Sequence, residues 1–181
     1  MFTNIIGCYL VITQLSAPLV LKQSELQSRM HTCVVVSDEV TRQAQEDYMT
    51  VMLSVAWQES RFEMDAKGKW LCTGKGELKF SKKGKPSCTE GKLTRARGPM
   101  QVLPIYHCKG EPKGKCNYVK VSVRLLGNLI ENYGLTKGLQ IYAGGFSGSK
   151  ASKNYARMTI WRSKKIFKTL KKIDWAQKNP L

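Results

Sequence analysis

The chain is short of acid, of histidine and of continuous apolar sequence, and each shortage removes a class of protein. Its 181 residues carry 13 Asp and Glu against 30 Lys and Arg, and two His. With two histidines and no Cys-x-x-Cys pair there is little from which to build a zinc or other metal centre, so no metal and no cofactor is expected. No zinc-finger spacing, no Gly-rich phosphate loop and no aromatic and basic strand pattern of an RNA-binding sheet occurs, which leaves nucleic acid with charge as its only argument. Internal repeats are missing too. The apolar stretch from Ile5 to Leu21 is interrupted by Thr13, Gln14 and Pro18, whereas a membrane span needs about 20 apolar residues. Asp is absent between Ala66 and Ile173, which restricts the carboxylates open to any acid-base chemistry.

What remains is one small basic domain. At 42% hydrophobic the chain can bury one ordinary core, with terminal extensions. A net charge of +17 calls for a polyanionic partner, such as an anionic envelope polymer or membrane surface. Six cysteines in a chain of this size point to an oxidising compartment. Cys72 and Cys88 flank one loop rich in Gly and Lys, and Cys108 and Cys116 flank a shorter one. Pairing each with its neighbour would staple segments too polar to hold themselves, although spacing alone leaves the connectivity open.

Residues 1–21 read as a signal-like or anchor segment: an apolar core from Ile5 to Ile12, then Gln14-Leu15-Ser16-Ala17 in the place of a cleavage region. No Lys or Arg precedes that core. A first core helix of the domain is the alternative. A polar connector should follow from Gln23 to His31, then a strand-like Cys33-Val34-Val35-Val36, then a helix capped by Ser37 and running to about Phe62. Tyr48, Met52, Val55, Ala56 and Phe62 fall on one stripe of that helix, and Glu59 lies inside the stripe.

From Ala66 to about Arg97 the helical period gives way to Gly, Lys and Thr, which predicts a small cysteine-stapled β segment. Helices should resume at Val119 to Tyr133, with Gly134 as the stop, and at Leu135 to Ala143. The tail from Asn154 to about Ile173 mixes apolar residues with seven or so lysines and arginines as a basic amphipathic helix. The expected fold is therefore α+β, mostly α: a single domain over residues 37–173 with a small stapled β segment.

A carboxyl on an apolar stripe is a candidate proton donor, because partial burial disfavours its charged form and raises its pKa. The alternative is a buried structural ion pair with Arg61 or Arg97. Three segments bear on the choice: Ala56-Trp57-Gln58-Glu59-Ser60-Arg61-Phe62, then Gly98-Pro99-Met100-Gln101, then Tyr142-Ala143-Gly144-Gly145. In this order, over about Tyr48 to Tyr155, they resemble the motifs of the lytic transglycosylases, lysozyme-like enzymes that cut peptidoglycan. The resemblance implies Glu59 as general acid and then base, Ser60 as an aid to substrate orientation, Met100 and Gln101 as cleft lining, and Tyr142 facing the reacting sugar. It also implies a lysozyme-like domain, peptidoglycan as partner, no cofactor, and a periplasmic or secreted location. Pro99 stands where the family has Leu, and Ala143 where it has Asn, so a polar group is missing from the third motif.

A hydrolase of this bond needs a second carboxylate, as nucleophile or as base. Of Glu77, Glu90, Glu111 and Glu131, only Glu77 and Glu90 lie in the β segment that could face Glu59. The scarcity favours the transglycosylase route, in which the substrate's own N-acetyl group takes the second role. A muramidase using Glu59 and a second Glu, and a non-catalytic wall-binding protein, are the competing functions. A phage endolysin, a virion-borne wall-cutting protein and a bacterial secretion-system enzyme would share these features. A monomer is expected unless the chain is part of such a machine.

Overall fold

The computed structural model describes residues 5–16, 21–74, 76–110, 112 and 115–178, leaving aside the side chains of 147 and 172–178. Helices α1 (Ile5–Ser16), α2 (Gln23–Arg42) and α3 (Met49–Ser60) come first. Four short strands follow, β1 (Lys67–Cys72), β2 (Leu78–Phe80), β3 (Pro86–Cys88) and β4 (Leu93–Arg97). Then come α4 (Pro104–His107), α5 (Tyr118–Tyr133), α6 (Leu135–Gly144) and α7 (Lys150–Lys178). The chain is α+β and mostly helical, as its periodicity predicts.

Helix α3 is the centre of the packing. Met49 and every residue from Val51 to Trp57 are buried, so it is covered on all sides rather than along one stripe. Helix α7 lies against it and against α6, with Ser152, Ala156, Thr159 and Ser163 buried at spacings of three and four, Ser152 beside Gly144 of α6. These small side chains bring the backbones close, and the Ser54 hydroxyl donates to the Thr159 carbonyl at 2.9 Å. Ile166 and Leu170 continue the stripe with larger groups. The expected inner face of α5 is present in Val119, Val123, Leu126 and Ile130, while Tyr133 is turned outward. Asn117 caps α5 by accepting from the Lys120 amide, and Gly134 ends it with a φ of 75°.

The N-terminal third departs from the sequence reading. Gln23 to His31 is not a connector and Cys33 to Val36 is not a strand; both belong to α2. Cys33, Val36, Ser37 and Val40 are buried at helical spacing, and this packing overrides the β preference of three consecutive valines. Ser37 caps nothing, since its hydroxyl donates to the Cys33 carbonyl within the helix. The single helix expected from Ser37 to Phe62 is two helices separated by a Schellman-type turn, in which the Gln45 and Ala44 amides donate to the Val40 and Thr41 carbonyls. Ala44 takes the left-handed position, φ 53°. Gly is usual there, so the break carried no glycine signal.

Helix α1 packs on α2 and α7, with Cys8, Val11 and Ile12 in the common core. A disulfide joins Cys8 to Cys33. The packed body therefore begins ahead of residue 37. Ala17 and Pro18 of the expected cleavage region lie outside the described residues. No helix among the described residues is long and apolar enough to cross a membrane.

The β segment forms two antiparallel ribbons, β1 with β4 and β2 with β3. Cys72–Cys88 ties one ribbon to the other, and Cys108–Cys116 closes the loop after α4. Both pair as neighbours. Glu111, Lys113 and Gly114 of that last loop lie outside the described residues.

Candidate active site

Glu59 sits one residue before the end of α3, half-buried, where the central helix emerges from the core. The two residues after the helix, Arg61 and Phe62, both have left-handed backbones, φ 59° and 63°. Each costs about 1–2 kcal/mol for a residue with a Cβ. Phe62 offsets much of this, because its ring is fully buried against Trp57 at 5.8 Å and such burial contributes about 1.5–3 kcal/mol. The Arg61 guanidinium lies over the Trp57 ring, 5.0 Å from its centre. The turn thus locks the direction in which Glu59 points.

Ser60 takes part in the same lock. Its hydroxyl donates to the Ala56 carbonyl and accepts from the Glu63 amide, both at 3.1 Å. One lone pair is left for any substrate.

Burial pushes the Glu59 carboxyl above its ordinary pKa, with Tyr155 pulling weakly the other way. Among the described residues Glu59 makes no ion pair, and the structural pairing with Arg61 or Arg97 does not form. Glu39 shows what that alternative looks like: a buried carboxylate held by Arg42 and by Gln43. The difference is one of partners. Glu59 has phenols near it where Glu39 has a guanidinium.

Two tyrosines close the carboxyl in. Tyr142 donates its hydroxyl to the Met100 carbonyl at 2.5 Å, and burial together with the charge of Glu59 drives its pKa far up. Tyr155, from α7, has a hydroxyl shut off from water that makes no well-formed hydrogen bond, although it is near enough to Glu59 for each to shift the other's titration. Burial is the larger cause of its upward shift and the Glu59 charge the next. Both phenols therefore stay neutral at working pH, and Tyr155 holds an O–H ready for a negative charge on Glu59.

The second motif is placed beside this group by backbone geometry. Met100 is fully buried and presents its carbonyl to Tyr142. Gln101 has a left-handed backbone, φ 55°, and its amide nitrogen donates to the Gly98 carbonyl at 2.8 Å. Its side-chain oxygen lies over Gly68 of β1, where an added Cβ would sit 2.7 Å from it. The missing side chain at Gly68 is what lets Gln101 lie flat on the ribbon.

Tyr142 thus links Glu59 to Met100, and Gln101 follows Met100 against β1, while Glu77 and Glu90 are exposed on the ribbon around β2 and β3. Ala143 is exposed next to Tyr142. Sequence reasoning passed over Tyr155, whose signal was an aromatic hydroxyl between Ser152, Ala156 and Thr159 on the inward stripe of α7. It also passed over Gln58, whose side-chain oxygen accepts from Arg162 and, at 3.4 Å, from Thr159. Gln58, Tyr155 and Arg162 line a cavity of about 300 Å³ at the end of α3. A wider groove of about 710 Å³ lies elsewhere, between β4 and α4, and shares none of these residues. No protein-family model, no curated protein and no solved structure matches the chain.

Proposed function

We propose that the chain is a peptidoglycan lytic transglycosylase with a lysozyme-like catalytic domain. The observation that carries this reading is Glu59: an unpaired carboxyl with a raised pKa, locked at a helix end beside two neutral phenols. A raised pKa keeps it protonated closer to neutral pH, which is the state a general acid needs. Glu59 would give its proton to the leaving oxygen as the β-1,4 bond from N-acetylmuramic acid to N-acetylglucosamine breaks. The N-acetyl group of the muramic residue would carry the positive charge at C1. The Glu59 carboxylate, steadied by the Tyr155 hydroxyl, would then take the proton of the muramic C6 hydroxyl as O6 bonds to C1. The product is a 1,6-anhydromuramic end, no water is consumed, and Glu59 recovers its proton.

The exposure of Glu77 and Glu90 supports the single-acid route over a muramidase. Ser60, Met100, Gln101 and Tyr142 would shape the subsite: Gln101 with its free amide hydrogen, Tyr142 by fixing the Met100 carbonyl. Three disulfides suit a periplasmic or secreted enzyme, delivered by a bacterium or a phage. Digestion of purified sacculi, with the soluble products weighed by mass spectrometry, tests the proposal. Anhydro ends, lighter by one water than reducing ends, are expected. Reducing ends would make the chain a muramidase, and no soluble product would make it a wall-binding protein.

A further inference from the structure

The outward side of α7 has a composition that packing does not explain. Between Lys150 and Lys171 there are eight Lys and Arg and no Asp or Glu. The helix buries Ser152, Ala156, Thr159, Ser163, Ile166 and Leu170, so its opposite side is set by the helical period. Trp161 falls at the middle of that opposite side. It is 49% exposed, as is Phe167 at one edge, and Met158 beside Trp161 is 38% exposed. The Lys165 ammonium lies 3.9 Å from the Trp161 ring centre, and that of Lys171 lies 4.8 Å from the Phe167 ring centre. Lys164 and Lys168 are exposed between the two rings.

A solvated outer face needs charge but has no use for an indole at its centre. Anionic glycans and teichoic polymers would be drawn by the lysines, yet Phe167 and Met158 offer such polymers neither charge nor hydrogen bond. A lipid headgroup layer uses both halves of the pattern: phosphates for the ammonium groups, and a boundary of intermediate polarity for the rings. Lysine suits this because its flexible stem lets the charge stay at the phosphates while the rings sink. We infer that the outward face of α7 docks on an anionic phospholipid surface, with Trp161 and Phe167 as anchors and Lys164, Lys165, Lys168 and Lys171 as phosphate contacts. The buried stripe of α7 stays in the protein core, so the helix lies on the membrane surface with the folded domain behind it. This docking does not depend on the chemistry at Glu59.

The test is co-sedimentation of the full, oxidised chain with vesicles of phosphatidylethanolamine and phosphatidylglycerol, and with vesicles of phosphatidylcholine alone. Binding to the anionic vesicles alone is expected, weakened by salt. Each near-surface lysine contributes about a fivefold factor in partitioning, so the Lys164→Gln, Lys168→Gln pair should lose roughly 25-fold. Brominated lipids should quench the tryptophan emission of the wild type more than that of Trp161→Ala, which lacks the indole at the centre of the docked face and keeps Trp57, Trp70 and Trp175. The substituted residues are exposed, and an unchanged melting temperature certifies that each variant is folded. Glu59→Gln should bind as the wild type does, which keeps this result separate from the catalytic one. Absence of binding to anionic vesicles overturns the inference. Binding that Trp161→Ala and Phe167→Ala leave intact overturns it as well, as does release from vesicles by soluble poly(glycerol phosphate) at matched phosphate.

Discussion

Glu59→Gln separates a poised acid from a structural carboxylate, because the two readings predict opposite changes in stability. The substitution keeps the shape of the side chain and removes its charge. Glu59 holds its proton more tightly in the folded chain than in the unfolded one, where the ordinary value is 4.5. Its contribution to stability is therefore complete below pH 4.5 and is lost as pH rises through the folded value. Glutamine has no such loss. Wild type and variant should unfold alike at low pH, and the variant should become the more stable one above the folded pKa of Glu59. Every tenfold difference in proton affinity between the folded and unfolded chain is worth about 1.4 kcal/mol, which in a domain of this size moves the melting temperature by roughly 3–6 °C. Denaturant unfolding of both proteins across pH 4 to 8 reads the difference directly. Activity on sacculi should fall by a factor of about 10²–10⁴, the usual worth of a general acid. A variant that is less stable than wild type near neutral pH refutes the reasoning, since a carboxylate loses stability on being neutralised where cations or hydrogen-bond donors outweigh the cost of its burial.

Gly68→Ala would put a methyl group 2.7 Å from the Gln101 side-chain oxygen and 3.0 Å from the Ala96 Cβ, so it should displace the Gln101 amide, with a small shift of the ribbon, and lower kcat/KM; unchanged kinetics would remove Gln101 from the site. Tyr155→Phe should push the descending limb of the pH profile upward, since Tyr155 lowers the Glu59 pKa, and should slow the step in which Glu59 is ionised; a downward shift in that limb contradicts the placement. Tyr142→Phe strands the Met100 carbonyl and should cost about 1–3 kcal/mol of stability in denaturant unfolding, besides its effect on turnover. Replacing Cys8 and Cys33 by Ser opens a link between positions 25 residues apart and should cost about 3.5 kcal/mol by loop entropy; an unchanged melting temperature would show that the link adds nothing to the packing of α1.

The parts of this structure that sequence made legible are those governed by one dominant pattern. Helix α5 shows a clean apolar stripe and a Gly stop, and its bounds follow within a residue. The two neighbouring cysteine pairs sit in segments with little else to hold them, so nearest pairing is the one that helps. Helix α2 failed on both counts. Its valine triplet reads as strand by local preference, and only the burial of Cys33, Val36 and Val40 against α1 and α3 makes it helical. The Cys8–Cys33 link was hidden for the same reason, since a cysteine in an apolar N-terminal run looks like part of that run. Glu59 was singled out as a carboxyl on an apolar stripe, and it is half-buried at the end of its helix, although α3 is buried all round and Tyr48 and Phe62 of that stripe lie outside it. Tyr155 was not singled out, because its approach to Glu59 is made by α7 packing on α3, nearly a hundred residues on.

Backbone strain ties these observations to the site. The non-glycine residues with positive φ among those described are Ala44, Arg61, Phe62 and Gln101. Ala44 ends α2 and has an ordinary capping role. The other three flank Glu59 or belong to the motif that faces it. Any of them could be relaxed by glycine at little cost in packing, except Phe62, and a chain selected for stability alone has no reason to keep Arg61 and Gln101 strained. What the strain secures is aim: Arg61 and Phe62 turn the chain away immediately after Ser60 so that Glu59 is left half-buried at the helix end, and Gln101 is folded back onto β1 with its amide held by Gly98. Arg61→Gly should therefore raise stability or leave it unchanged by removing a cost of about 1–2 kcal/mol, yet lower kcat through a looser Glu59, with KM little altered. If the glycine variant gained stability and kept full kcat, the strained turn would be a feature of folding and not of the site.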